Sequence, residues 1–319
     1  MAATPEKTKP RSFRERLAYT GKRIALEKEK YILILPGIVW YAIFAYIPIF
    51  GLTLAFRKYM AKLGMFGSPW VGLKNFQNVF ADPAFFASII TTLRINAGRL
   101  ICVFPFPILF AIIINELRLG RPKKILQSIY TFPNFLSWVI VSSIMINVLG
   151  LRGLLNSVLG LLFGTQPIAF LGKPDYFYQV VYLTDIWKTA GWSAIIYMAS
   201  ISGIDMEQYE AAEIDGASRL QRIWYITLPG IKSTILVLFI LAVGNLMSGG
   251  FDQIFNLSNS ATIKVAETLD MYIYRITFRG SVDFGFSSAV AMFRSVINMV
   301  LLVAADRVSK AVGGSGLIG

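Results

Sequence analysis

Long stretches without charged residues dominate the chain. Residues 31–56, 125–151 and 233–251 contain no Asp, Glu, Lys or Arg, and residues 284–305 contain only Arg294. A helix needs about 20 apolar residues to cross the hydrocarbon core of a membrane, which is about 30 Å thick. These four stretches therefore predict four membrane-spanning helices.

Two further uncharged intervals, residues 100–115 and 189–204, are shorter. Each reaches the length of a span only if it extends towards the N-terminus, through Arg94 and Arg99 in the first case and through Asp185 and Lys188 in the second. Charged residues at membrane depth are costly and usually face a cavity, a partner or the interior of the bundle. We therefore expect these two helices to line a polar path.

Residues 153–172 also carry no charge, but they include Gly153, Asn156, Gly164 and Pro167. This composition favours a broken, amphipathic external segment over a span. The predicted fold class is therefore an all-α integral membrane protein with one transmembrane domain, residues 31–310. Its six helices are predicted at 31–56, 92–116, 125–150, 180–204, 231–250 and 284–305, with a loop at 205–230.

Composition and charge support this prediction and give it an orientation. Of the 319 residues, 55% are hydrophobic and 15% are charged, against about 25% charged in ordinary soluble domains. If the N-terminus is cytoplasmic, the cytoplasmic segments hold 18 Lys and Arg and the external segments hold 9, as the positive-inside rule requires. We expect a multi-pass protein of the cytoplasmic (inner) membrane with both termini in the cytoplasm. Basic residues in the cytoplasmic segments then account for the net charge of +13, and no nucleic-acid partner is needed to explain it.

The two ends of the chain are expected to lie outside the bundle. Residues 1–30 hold nine Lys and Arg against four Glu, which indicates a retained cytoplasmic segment. It either lies on anionic membrane lipid or remains solvated. Residues 311–319, rich in glycine, are predicted to be a flexible tail.

Several kinds of chemistry are excluded by residue usage. The chain has one cysteine, Cys102, and no histidine. It therefore has no intrachain disulfide, no zinc site of the usual His/Cys type and no histidine for acid–base catalysis. We predict no catalytic residue and no metal site.

The predicted loop at 205–230 has a distinct local pattern. Residues 206–215 favour a short helix, with Asp205 as its N-cap and acidic residues near the positive end of the helix dipole. Gly216 can adopt a positive φ and so permits a sharp turn. A second short helix can follow from Ala217, and Pro229 suits the start of the next span. The pattern predicts an elbow that protrudes from the membrane.

The residues of this elbow resemble the EAA loop of binding-protein-dependent ABC importer permeases. The matching positions and their spacing are Glu210-Ala211-Ala212, Gly216, Ile226 and Leu228-Pro229. The resemblance implies that the elbow docks into a cleft of a cytoplasmic ATPase and moves with it. Glu210 and Asp215 would then pair with basic groups of that ATPase, and the small alanines would allow close approach.

Other segments extend the resemblance. Residues 91–118 resemble the segment that opens the core of sugar-type permeases, and residues 251–259 and 289–310 are similar to the oligosaccharide and polysaccharide branch. The nearest likeness within that branch is to importers of alginate or similar uronate oligosaccharides. The resemblance implies a type I ABC importer permease fold with six transmembrane helices. It also implies the partners: a second permease, either identical or, as we expect, similar but distinct, an ATPase dimer and an external solute-binding protein.

The nucleotide is expected on another chain. No G-x-x-x-x-G-K-[ST] motif is present, since Gly172-Lys173 is followed by Pro174. We therefore expect ATP and Mg²⁺ on the partner ATPase and no cofactor on this chain, which would be a transport subunit rather than an enzyme.

Polar and aromatic residues inside the predicted spans are the candidates for the substrate path. Asp185 and Lys188 are alternatively an i, i+3 salt bridge on one helix face, the tryptophans are alternatively interface anchors, and Arg99 alternatively snorkels to a membrane surface. The candidates are Arg99, Asp185, Trp187, Lys188, Trp192, Asn245 and Arg294, followed by Asn96, Tyr197 and Asn298.

Two other functions compete with this prediction. A secondary transporter driven by an ion gradient would need carboxylates at membrane depth, and the spans offer chiefly Asp185. An intramembrane enzyme would need a catalytic constellation, which the spans do not provide. Neither alternative explains the elbow.

Overall fold

The structure is a computed structural model that describes residues 26–117, 121–280 and 283–311. The predicted basic segment up to residue 25 and the predicted tail from residue 312 lie outside the described residues. The described part is built from helices and the turns between them, as the predicted all-α class requires. The longer helices are α1 (Lys28–Phe56), α4 (Pro83–Glu116), α8 (Pro174–Ser202) and α15 (Phe284–Ala311).

Shorter helices connect these four. In chain order they are α2 (Gly64–Gly67), α3 (Lys74–Ala81), α5 (Arg121–Thr131), α6 (Trp138–Leu149), α7 (Leu154–Phe163), α9 (Met206–Ile214), α10 (Arg219–Gly230), α11 (Lys232–Gly244), α12 (Phe251–Leu257), α13 (Ile263–Ala266) and α14 (Leu269–Tyr274).

Within the described residues, four helical segments are long and apolar enough to cross a membrane, namely α1, α4, residues Trp138–Phe163 and α15. A fifth is formed if α10 and α11, which are bent by 61° at Ile231, act as one span. Helix α8 has 29 residues and is long enough, but it carries Asp185 and Lys188 at mid-length. The membrane-spanning class is therefore confirmed, whereas the number six stays a prediction.

Helix boundaries depart from the predicted intervals where proline and capping residues intervene. Helix α4 begins at Pro83 rather than near residue 92, because the Asp82 carboxylate accepts a hydrogen bond from the Ala84 amide at 2.9 Å and Pro83 suits the first helical turn. The interval 125–150 is divided between α5 and α6. A 3-10 turn, Phe132–Phe135, separates the two, and Ser137 then caps α6.

In the part of the chain that the structure describes, three clusters of buried apolar residues hold the helices together. One joins the end of α1 to α15 through Ala55 and Val290, and a second joins α4, α8 and α12 through Ile95, Val181 and Ile254. The third joins α4, α8 and the start of α11. The bundle is thus packed around α4 and α8, the two helices that the sequence predicts as walls of a polar path.

Candidate functional site

The elbow consists of α9, a glycine turn and the start of α10. The Asp205 carboxylate caps α9 by accepting a hydrogen bond from the Glu207 amide at 3.0 Å. Gly216 then has a φ of +77°, the left-handed conformation that only glycine adopts without strain. The cap, the short helix and the turn are as predicted. The second helix begins at Arg219 rather than Ala217, because Ser218 and Gln221 form a capping box.

The tip of the elbow presents apolar and acidic side chains to its surroundings. Ile214 is 86% exposed and Leu220 is 78% exposed. Glu210, Ala211 and Asp215 are also exposed, and Ala212 is half-buried. Large apolar residues left exposed on a short polar loop are typical of a surface that another protein covers.

The two helices of the elbow are held against each other at its base. The Tyr209 and Thr227 hydroxyls are hydrogen-bonded at 2.9 Å, and Arg222 pairs with Glu213 at 3.0 Å. Ile226, Leu228 and Pro229 lie in the last turns of α10, with Ile226 and Leu228 half-buried and Pro229 exposed.

The elbow is in direct packing contact with the core of the bundle. Ile223 and Leu228 of α10 pack in the third apolar cluster with Tyr197 and Ile201 of α8 and with Ile231. Tyr197 is 2% exposed. A displacement of the elbow therefore reaches α8 through close-packed side chains, because protein interiors leave little free space to absorb it.

A cavity of about 370 Å³ lies between α4, α8 and α11. Its wall combines amide, hydroxyl and charged groups with apolar side chains. Three of the predicted path residues, Arg99, Asp185 and Asn245, line it, together with the further candidates Asn96 and Tyr197. The remaining lining residues are Leu100, Val103, Phe104, Pro107, Thr189, Ser193, Ile196, Leu238, Ala242, Leu246 and Ser248.

Arg99 is the centre of the polar network in this wall. Its Nε lies 3.0 Å from Oδ2 of Asp185 on α8, and its guanidinium donates to Oδ1 of Asn96 at 2.9 Å and to the Gly249 carbonyl at 3.1 Å. The Arg99 and Asp185 side chains are 17% and 15% exposed. Arg99 therefore does not snorkel; it joins α4, α8 and the segment after α11.

Gln253 is a member of this network that sequence reasoning missed. It is 1% exposed, accepts a hydrogen bond from Arg99, and donates to the Val181 carbonyl at 2.8 Å and to the Thr184 hydroxyl at 2.9 Å. It lies 154 residues from Arg99 in the chain. The sequence identifies residues 251–259 only by their similarity to a permease branch, and no local pattern there predicts that Gln253 contacts Arg99.

Four of the predicted path residues do not line the cavity. Trp187 and Trp192 of α8 are 42% and 47% exposed. Trp187 lies on another side of the helix from Asp185, since each residue turns the helix by about 100°, whereas Trp192 packs edge-on against Phe135. The Lys188 ammonium donates to the Asn134 carbonyl at 2.7 Å and lies over the Trp138 ring. The predicted i, i+3 pair is therefore replaced, because Asp185 binds Arg99 instead.

The fourth, Arg294, pairs with Asp270 of α14. Asp270 also accepts a hydrogen bond from the Gly249 amide at 2.8 Å. Asn298 accepts one from the Met247 amide at 3.0 Å. Both α15 residues thus support the segment behind the cavity wall rather than the cavity itself. Among the described residues, no three His, Cys, Asp or Glu side chains are grouped as a metal site would require.

The chain matches a family of known transport proteins. Residues 107–314 fit the family described as "Binding-protein-dependent transport system inner membrane component", and this match contains both the elbow and α8. The chain belongs to this family. It is a membrane-embedded permease component of an ABC importer of the sugar-transporter type. The elbow predicted the importer class, and residues 91–118, 251–259 and 289–310 predicted the sugar type.

The similarity to individual relatives extends over nearly the whole chain. This chain is 40% identical to the polygalacturonan/rhamnogalacturonan transport system permease protein YteP and 37% identical to Protein LplB, both of Bacillus subtilis (strain 168), with 92% of each chain covered. A chain in the crystal structure of a bacterial ABC transporter involved in the import of the acidic polysaccharide alginate is 34% identical. It superposes with a TM-score of 0.83 over 93% of this chain and 99% of that chain.

Proposed function

We propose that this chain is the permease subunit of an importer for acidic oligosaccharides, driven through its elbow by a separate ATPase. The single observation that carries the coupling is the continuous packing from the exposed elbow to Tyr197, a residue of the cavity wall. A docked partner that moves the elbow therefore moves the wall of the cavity. The residues that transmit this movement are Glu210, Ala211, Ala212, Asp215 and Gly216 at the docking surface and Ile226, Leu228 and Pro229 at the base.

The proposed cycle is alternating access. ATP draws the two ATPase subunits together, the elbows of this chain and of a similar but distinct second permease follow, and the bundles open outward. A solute-binding protein then delivers the sugar to the path that the cavity of this chain lines. ATP hydrolysis reverses the movement and opens the path to the cytoplasm, where both termini and the elbow lie.

The substrate class is supported by the relatives and by the chemistry of the cavity. One relative is named for polygalacturonan transport and the structural neighbour for alginate, an acidic polysaccharide. In this chain the cavity contains a guanidinium whose carboxylate partner, Asp185, lies on a different helix. A uronate carboxylate can take the place of Asp185 beside Arg99 when α4 and α8 separate, since planar guanidinium groups bind carboxylates in a fork geometry.

A proline at Gly216 tests the coupling. Because proline requires a φ near −65° and the turn has +77°, Gly216→Pro should abolish sugar uptake while the protein still inserts into the membrane. Gly203→Ala is the matched control, since Gly203 has a φ of −85° at the same end of the bundle. Uptake is measured with labelled oligouronates in vesicles that contain the purified complex and ATP.

The outcomes of the uptake assay distinguish the coupling role, the substrate class and the alternative of a secondary transporter. Normal ATP-driven uptake by the Gly216→Pro variant would refute the coupling role. Uptake of a neutral oligosaccharide in preference to an oligouronate would refute the substrate class but not the coupling. Uptake driven by an ion gradient without ATP would favour the alternative of a secondary transporter.

A further inference from the structure

The segment around α7 leaves an apolar surface uncovered. Residues 150–153 separate α7 from α6, and the two helices together, Trp138–Phe163, are long enough to cross a membrane. By itself α7 has ten residues and is about 15 Å long, too short to cross. Only Asn156 is buried among its residues. Leu154, Leu161, Leu162 and Phe163 are 66%, 86%, 66% and 72% exposed.

Asn156 fixes this segment as a hairpin. Its amide nitrogen donates to the Gly150 and Ile168 carbonyls, both at 2.9 Å, and its oxygen accepts from the Ile168 amide at 2.8 Å. The chain reverses after Gly164, which has a φ of +63°. The exposed apolar residues are therefore held in one place by a hydrogen-bonded base.

Beneath the hairpin lies an apolar cavity of about 280 Å³. Both arms of the hairpin contribute to it, through Leu155 and Phe170, and α6 and α8 complete it. Gln179 and Thr184 are the polar residues that face it besides the Tyr176 hydroxyl, so it is suited to a hydrocarbon chain rather than to a sugar. Its other lining residues are Met145, Leu149, Val180 and Leu183.

Two cations bracket the hairpin. No charged residue occurs from 153 to 172, whereas Arg152 precedes the segment and Lys173 follows it. Both are exposed, and neither forms an ion pair with any residue that the structure describes. A basic residue directly before and directly after an uncharged apolar segment matches an amphiphile with a negative headgroup and an acyl chain.

We propose that the hairpin of residues 153–172 binds an anionic phospholipid, with its phosphate at Arg152 and Lys173 and part of one acyl chain in the cavity beneath. The lipid belongs to the leaflet at which α6 ends, because the hairpin leaves that span directly. A reversible docking site for a soluble protein is about as polar as the rest of a protein surface, and this segment is not. The site is separate from the sugar path.

The test uses a probe attached to α7. The variant Cys102→Ser removes the chain's one cysteine, and Leu162→Cys then carries an environment-sensitive fluorophore in the purified complex in vesicles. Spin-labelled phosphatidylglycerol should quench it several-fold more than a probe at the exposed Lys62→Cys in the polar external loop. The proposal would be overturned if water-soluble quenchers reach the probe at position 162. It would also be overturned if neither kind of quencher reaches the probe because a protein covers it.

A second comparison tests the headgroup. Each cation near an anionic lipid is worth about 1 kcal/mol, so Arg152→Gln with Lys173→Gln should reduce the preference for spin-labelled phosphatidylglycerol over phosphatidylcholine by up to about thirtyfold. Both residues are exposed, so folding should be unaffected, and sugar uptake checks this. An unchanged preference would overturn the anionic site.

Discussion

Replacing Arg99 by methionine tests whether the ion pair in the cavity wall holds the bundle together. Arg99 and Asp185 are 3.0 Å apart and largely buried. Removing one partner of a buried pair costs about 3–5 kcal/mol, because the other charge remains without compensation. Arg99 also donates to Asn96 and to the Gly249 carbonyl. We therefore expect Arg99→Met to cost about 5 kcal/mol, at the upper end of this range.

The double variant separates the pair from its surroundings. Asp185→Leu should cost about 3 kcal/mol, since Arg99 keeps its other hydrogen-bond partners. The two single costs add to about 8 kcal/mol, but Arg99→Met with Asp185→Leu should cost only about 5, because no unpaired charge is left in the wall. The coupling energy is then about 3 kcal/mol, at the upper end of the values found for residues in contact.

The assay is denaturant unfolding of the purified complex in detergent, with Arg94→Met as the control. Arg94 lies on the same helix but is exposed, so its replacement should change the free energy of unfolding by less than about 0.5 kcal/mol. If the double variant loses as much unfolding free energy as the two single variants together, the proposed coupling between Arg99 and Asp185 is refuted. An Arg94→Met variant as unstable as Arg99→Met would also refute it.

Two further predictions concern packing and the elbow. A Cβ atom at Gly191 would lie 2.1 Å from the Tyr130 backbone oxygen, so Gly191→Ala should force α5 away from α8 and cost about 3 kcal/mol in unfolding free energy. Gly203→Ala, whose nearest contact would be 3.4 Å, should be near neutral, and equal costs would contradict the prediction. Tyr209→Phe removes the hydrogen bond to Thr227 and about 1 kcal/mol of bracing, so less sugar should be imported per ATP hydrolysed. The same change at Tyr225, 74% exposed, should leave this ratio unchanged, and an unaltered ratio in Tyr209→Phe would show that the brace does not transmit movement.

The elbow could be predicted in detail because its structure is local. Asp205 caps the helix that begins at the next residue by accepting a hydrogen bond from the amide two residues ahead, and Gly216 supplies the positive φ for the turn that follows. Such effects act over a few residues, so the order of residue types already contains them. The same holds for the long uncharged helices, whose length and composition suffice for the membrane-spanning class.

The ends of helices were less predictable where proline or a capping residue interrupts an apolar stretch. The interval 125–150 contains no charge, but Pro133 and Ser137 divide it into two helices. Helix α4 begins before its uncharged part because Asp82 caps it. Hydropathy indicates which side chains can lie in lipid, but it does not indicate where a helix begins, because helix ends depend on capping residues and proline.

By itself, the sequence determined that the chain is a helical membrane protein with a helix–turn–helix elbow of the importer type. Only the tertiary structure decided which polar residues share a cavity. Arg99 joins Asp185 and Gln253 across 86 and 154 residues of chain, while Trp187, two positions from Asp185, faces elsewhere. The reason is geometric: neighbours on a helix point in different directions, and the partners of a buried charge are set by which helices pack together.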